Sequence, residues 1–390
     1  MPASTPLSRP IIAGVVTALV GFTSAFMIVL AGLTAVGATP AQAASGLLAV
    51  SITMGLGCVV LAWRYRMPIT VAWSTPGAAL LATTGTAGGE WSAAVGAFVV
   101  VAVLIVLTGL WPALGTLISR IPPAIAQAML AGVLLPLCLA PVTGIVENPW
   151  GVIPVVLTWL VCARLAPRWA VPLAFVAATV VIAISLASSG SAVDPVSLLP
   201  RVELTMPTFT VSALVGIALP LFIVTMASQN VPGMAVMRSY GYDVPWRPAM
   251  LVTGLGSLVG APAGGHGINL AAISAALAAA PDADPDPARR WVAGVSTGVS
   301  YILLGLASAG FATLVLLAPA AVIPAVAGLA LFAAFGASVQ QALHEPGDRM
   351  PAVVTFLVAA SGIALFGISA AFWSLVAGLL VRAVLTVARR

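Results

Sequence analysis

The chain has 390 residues, of which 61% are hydrophobic and only 6% charged, and its mean hydropathy is +1.15. That balance excludes a soluble globular protein and leaves no room for a soluble domain beside the apolar runs. All of the basic residues are arginines scattered as loop punctuation, so the net charge of +5 speaks for membrane topology and against a nucleic-acid partner.

Breaking the hydropathy at Gly, Pro and charged clusters predicts fourteen segments in chain order: 11–36, 45–63, 69–85, 92–111, 121–140, 150–165, 169–188, 209–233, 247–260, 265–280, 291–317, 321–342, 350–367 and 370–388. The first is too long for a signal-peptide core and lacks a small-residue cleavage site, so it reads as a transmembrane helix. With the N-terminus inside, Arg9, Arg64, Arg66, Arg120, Arg164, Arg168, Arg238, Arg247, Arg289, Arg290, Arg349, Arg382, Arg389 and Arg390 fall on the cytoplasmic side. Only Arg201 falls outside, together with Glu90, Glu147, Asp194 and Glu203. The expected protein is multi-pass with both termini cytoplasmic. A twelve-span count sorts the charges equally well if segments three and ten are re-entrant.

The chain repeats itself weakly. "TALVG" at 17–21 returns as "SALVG" at 212–216, and "LAGVLL" at 130–135 returns as "VAGLAL" at 326–331, so both offsets equal about half the chain. A duplicated unit of seven spans must enter the membrane in opposite orientations. This gives a first inverted repeat over 1–195 and a second over 196–390, the architecture of secondary transporters. Such folds place substrate near the midplane between discontinuous helices at matching positions, and segments three and ten are the matching pair.

Segment three, "MPITVAWSTPGAALLATTG", opens extended over Ile69 to Trp73. Ser74 or Thr75 then caps a helix whose first position is Pro76. Segment ten, "GGHGINLAAISAALAAA", carries Gly264, Gly265 and Gly267 for unusual backbone angles, with Asn269 to cap or line the helix start. Two half-helix N-termini facing each other suit an anion without any Arg or Lys. His266 is either a structural histidine or a substrate or proton-coupling group, and its place beside a helix break favours the second. Ser228, Gln229 and Asn230 form a polar triplet before Pro232 that glues helices or touches substrate. Phe22, Phe26 and Phe222 offer ring-stacking surface, although ordinary packing explains them as well.

Cys58, Cys138 and Cys162 match no metal spacing and read as small core residues. The acidic turn "PDADPDPARR" at 281–290 does not fit a calcium loop and reads as a solvated cytoplasmic loop. No Walker motif, nucleophile elbow or CxxC is present to support an enzyme or an ATP-driven pump, and no cofactor is expected.

"ASQNVPGMAVMRSYGY" at 227–242 followed by "GAPAGGHGINLAAISAAL" at 260–277 closely resembles the paired signature of the benzoate:proton symporter family, BenE type, over essentially the whole chain. The seven-plus-seven pattern is more distantly similar to the fold of uracil transporters and anion exchangers. The resemblance implies a core domain of about 11–111 and 209–317 and a gate domain of about 121–188 and 321–388. It further implies proton-driven import of benzoate or a related aromatic carboxylate across a bacterial inner membrane. The substrate would be held by Ser74, Thr75 and Pro76, by Ser228, Gln229 and Asn230, and by His266, Gly267, Ile268 and Asn269. Apolar side chains, with Phe22 and Phe26 as candidates, would flank its ring. His266 is the candidate proton-coupling residue. Transport of another anion or a nucleobase, or passive anion conduction, is the alternative. The sequence leaves open a homodimer formed through the gate domain.

Overall fold

The structure is a computed structural model that describes residues 7–85, 89–111, 122–189 and 198–387. Helices dominate, because a backbone amide at membrane depth must find its partner within the protein. Segment one is a pair of helices, α1 (Ser8–Thr23) and α2 (Phe26–Ala35). Segment two is α3 (Pro40–Tyr65), opened by a reciprocal capping box between Thr39 and Gln42. Segment three is a strand, β1 (Val71–Trp73), that feeds α4 (Thr75–Thr84). Helices α5 (Trp91–Leu110), α6 (Pro123–Glu147), α7 (Pro149–Leu165) and α8 (Ala170–Ser189) complete the first half.

The second half begins with α9 (Val211–Ser239) and α10 (Trp246–Gly260). Segment ten is again a strand and a short helix, β2 (Ile268–Leu270) and α11 (Ile273–Ala279). Then follow α12 (Trp291–Leu306), α13 (Ser308–Leu316), α14 (Val322–Ala342), α15 (Arg349–Ala360) and α16 (Ala370–Val387).

A helix, a broken helix or a strand–helix unit thus occupies each predicted range. Among the described residues, seven helices qualify as spans by length and apolarity alone, or eight if α12 and α13, bent by 53°, count as one. Arg120, Asp194, Arg389 and Arg390, and the first residue of segment five, lie outside the described residues.

Two irregularities go beyond the expectation. Segment one breaks between Thr23 and Phe26, where Ala25 leaves the helical region at φ −142°. Helix α9 widens into π turns at Leu214–Ala218 and Met226–Asn230, each shortly before a proline, Pro220 and Pro232. A wide turn absorbs the amide that proline lacks and the room its ring demands.

Close helix pairs rest on small residues, as expected where lipid supplies no hydrophobic drive between helices. At the α3–α12 crossing, a Cβ added to Gly55 would lie 2.6 Å from the Gly298 carbonyl oxygen, and one added to Gly298 would lie 2.5 Å from that of Gly55. Helix α5 packs on α10, whereas α6 packs on α14 and α15.

The two ends of the bundle are tied by different contacts. At one end Arg168 pairs with Asp282 at 3.0 Å, and Arg9 Nε donates to the Asp282 carbonyl at 3.3 Å. At the other, the extended stretch before α9 bonds to earlier turns: Thr205 N donates to Pro262 O (2.8 Å) and Thr208 N to Ser92 O (3.0 Å).

The acidic turn departs from expectation, since Asp284 and Arg290 are buried. Arg290 donates to the carbonyls of Asp284 (2.7 Å) and Ala279 (2.9 Å), closing the C-terminus of α11. A guanidinium that satisfies orphan carbonyls covers the middle of the turn and buries Asp284, while Asp282, Asp286 and the three prolines stay exposed.

Candidate functional site

The two helix breaks meet as one object. β1 and β2 pair antiparallel, with Val71 opposite Leu270, Ala72 opposite Asn269 and Trp73 opposite Ile268. The ladder continues from Ser74 N to Gly267 O at 3.2 Å and from Ala271 N to Thr70 O at 3.0 Å. Gly267 holds φ +130°, a value that L side chains rarely adopt and that turns the chain into β2.

Each outward edge is held by a side chain from the preceding long helix. Cys58 Sγ accepts from Val71 N at 3.0 Å and lies 3.3 Å from Val71 O. Ser257 Oγ accepts from Ile268 N at 2.8 Å and donates to Thr253 O at 2.8 Å. Asn230 Oδ1 accepts from Leu270 N at 2.9 Å. These bonds satisfy amides that no water reaches.

Ser74 caps α4 as expected, its hydroxyl accepting from Gly77 N at 3.2 Å and bonding Thr225 Oγ1 at 2.7 Å. Pro76 falls at the second helical position. Asn269 does not cap α11, because it lies inside β2 and donates to Leu270 O at 2.8 Å. The α11 N-cap is Ala272, which provides no side-chain cap.

Beside the strand pair lies a cavity of about 140 Å³, lined on one side by Val20, Gly21, Ser24 and Ala25, by Trp73, Thr75, Pro76 and Gln229, and by Ala272, Ser274 and Tyr301; Leu134 and, from α14, Ala330, Leu331, Ala333 and Ala334 face them. That volume is comparable to the ~150 Å³ apolar cavity known to admit a benzene ring.

Of the residues singled out from sequence, Thr75, Pro76 and Gln229 line this cavity. Ser74, Ser228, Asn230, His266 and Gly267 flank the strand pair behind it, and Ile268 and Asn269 lie within it. His266 is fully buried, and its Nε2–H donates to the Ser74 carbonyl at 3.2 Å. Among the described residues its Nδ1 has no hydrogen-bond partner, nor do Thr70 Oγ1, Ser228 Oγ and Asn269 Oδ1. Phe22 and Phe26 are fully buried in an aromatic cluster, stacked at 5.6 Å, and Phe22 meets Trp73 edge-on at 5.2 Å. Trp73 reaches the cavity where the two phenylalanines do not.

Sequence reasoning missed Ser24, Ser274 and Tyr301. Ser24 belongs to the unforeseen break in segment one, and Ser274 and Tyr301 are single polar residues within apolar runs. The π turn explains the divided triplet, because an inserted residue rotates Gln229 toward the cavity and leaves Ser228 and Asn230 buried. Among the described residues no group of three or more His, Cys, Asp or Glu side chains is placed to hold a metal.

The fold matches solved structures. The transmembrane domain of the cyanobacterial bicarbonate transporter BicA aligns with a TM-score of 0.61 at 16% identity, covering 96% of this chain and 97% of that one. SLC26A9 aligns at 0.63 and 14% identity, covering 99% of this chain and 66% of that one. The architecture is therefore the seven-plus-seven inverted repeat, with a half-helix led by a short strand in each half, and it defines a polytopic membrane protein. Residues 4–384 match the BenE family model, benzoate membrane transport protein. The inner membrane protein YdcO of Escherichia coli K12 is 39% identical over 94% of this chain and 93% of its own length. The benzoate membrane transport protein of Acinetobacter baylyi is 32% identical over 85% and 84%. The chain belongs to the BenE family.

Proposed function

We propose that this protein imports benzoate or a closely related aromatic carboxylate together with protons, by alternating access. The observation that carries this reading is the cavity, whose volume suits one aromatic ring and whose walls are mostly apolar with a few hydroxyl and amide groups. No arginine or lysine lines it, so a carboxylate would be met by neutral donors and by the heads of α4 and α11. The name of the Acinetobacter relative supports the same substrate class.

In this reading segments 1–4 and 8–11 form a core that moves against a gate of segments 5–7 and 12–14. The cavity walls support that division, since Leu134, Ala330, Leu331, Ala333 and Ala334 belong to the gate and the other lining residues to the core. His266 is the proton-coupling candidate, supported by an imidazole nitrogen without a partner and by its bond to the turn that starts α4. Both termini are cytoplasmic in a bacterial inner membrane. The name of the Escherichia coli relative supports the location, and the meeting of Arg9, Arg168 and Asp282 at one end supports the sidedness.

The test is uptake of labelled benzoate into proteoliposomes with an inward proton gradient imposed or collapsed, in competition with salicylate, uracil and sulfate. Gradient-driven accumulation competed by salicylate alone is expected. Competition by uracil or sulfate, or uptake indifferent to the gradient, refutes the substrate or the coupling.

A further inference from the structure

Tyr301 on α12 and Ser274 near the head of α11 both line the cavity, yet they are only 1% and 9% exposed. The Tyr301 hydroxyl lies beside the Ser274 side chain. It lies over Gly21, where an added Cβ would come within 2.5 Å of it. That close approach explains why segment one has no side chain at this point.

Each hydroxyl carries one proton, so even a hydrogen bond between the two would leave one O–H free to donate. No other hydrogen bond to either hydroxyl is formed among the described residues. The unspent proton therefore belongs to a pair whose open side is the cavity.

Phenol is the more acidic of the two alcohols, and donation to an anion gives a shorter and stronger bond than donation to a neutral acceptor. Against walls that carry no cation, such a donor is best used on negative charge. We infer that the Tyr301–Ser274 pair is a recognition element for the substrate's carboxylate, a role that rests on the aromatic-carboxylate reading above. Charge, more than ring shape, is what the pair discriminates.

The experiment compares binding of benzoate with binding of nitrobenzene, its neutral isostere, to purified wild-type protein and to the Tyr301→Phe and Ser274→Ala variants. Removing a charge-assisted donor should weaken benzoate about ten-fold or more while changing nitrobenzene less than about two-fold on the same scale. Ser274→Ala should act in the same direction, and it serves as the independent reading if Tyr301→Phe does not fold. Equal losses for both ligands would reduce the pair to a packing role, and unchanged benzoate affinity in both variants would overturn the inference by itself. If wild-type protein binds no benzoate at all, the functional reading fails first and the inference falls with it.

Discussion

The Ser257→Ala substitution tests how the strand pair is held. Ile268 is fully buried, and its amide donates at 2.8 Å to Ser257 Oγ, on the edge of β2 away from β1. Alanine removes the acceptor and leaves a buried N–H, a loss of about 1–3 kcal/mol, which is about 5- to 150-fold in the folding equilibrium. Because Cys58 does the same work for Val71 at the matching place in the first half, with its sulfur at 3.0 Å, Ser257→Cys should recover much of the loss. Thermal unfolding of the purified protein in detergent measures the ranking, expected as wild type, then cysteine, then alanine. Ile268 stands opposite Trp73, which lines the cavity, so benzoate KM in proteoliposomes should rise in the same order. Alanine and wild type with equal unfolding temperatures and equal KM would refute the reasoning, since the amide would then need no clip.

Further outcomes follow from the same geometry. Ser74→Ala removes the α4 cap and the bond to Thr225, costing about 1–2 kcal/mol; a double-mutant cycle with Thr225→Val should show coupling, and strict additivity would contradict a shared bond. Gly55→Leu should abolish folded, membrane-inserted protein, because the α3–α12 crossing has no space for a side chain; normal yield in size-exclusion chromatography would contradict that packing. Arg290→Leu leaves the carbonyls of Ala279 and Asp284 without their donor and should lower stability by about 3 kcal/mol or more, read as a fall in unfolding temperature, whereas the exposed pair Arg168–Asp282 is worth about 1 kcal/mol or less when Arg168 is replaced by alanine. His266→Ala and Asn269→Ala should each impair uptake, and unchanged uptake and affinity in both would remove these residues from the site.

The helix breaks were legible because their signals are local. Ser74, Thr75 and Pro76 state a helix start in three residues, and Gly264 and Gly267 adopt the positive φ values, +93° and +130°, that their residue type permits. The pairing of the two extended stretches was not legible, since a three-residue strand has no periodicity of its own and its partner lies almost two hundred residues away. Nor was the break at Ser24, which carries neither proline nor glycine at the point of departure. The facing of Gln229 depends on a π turn, which the regular 3.6-residue period of an α-helix does not register. Burial of Asp284 was hidden for a different reason: a charged turn reads as solvated until the arginine that folds over it is known.

The shared two-stranded sheet also bears on what counts as a complete unit. A chain ending near residue 195 would carry β1 with one edge clipped by Cys58 and the other open, at a depth where lipid offers no hydrogen bonds. The second half alone would leave β2 in the mirror predicament. Neither repeat can close its own backbone, and the smallest self-sufficient object is two oppositely oriented copies joined edge to edge. Fusion into one polypeptide fixes the ratio and the opposed orientation of those copies, so assembly of the site no longer depends on two separate insertions finding each other.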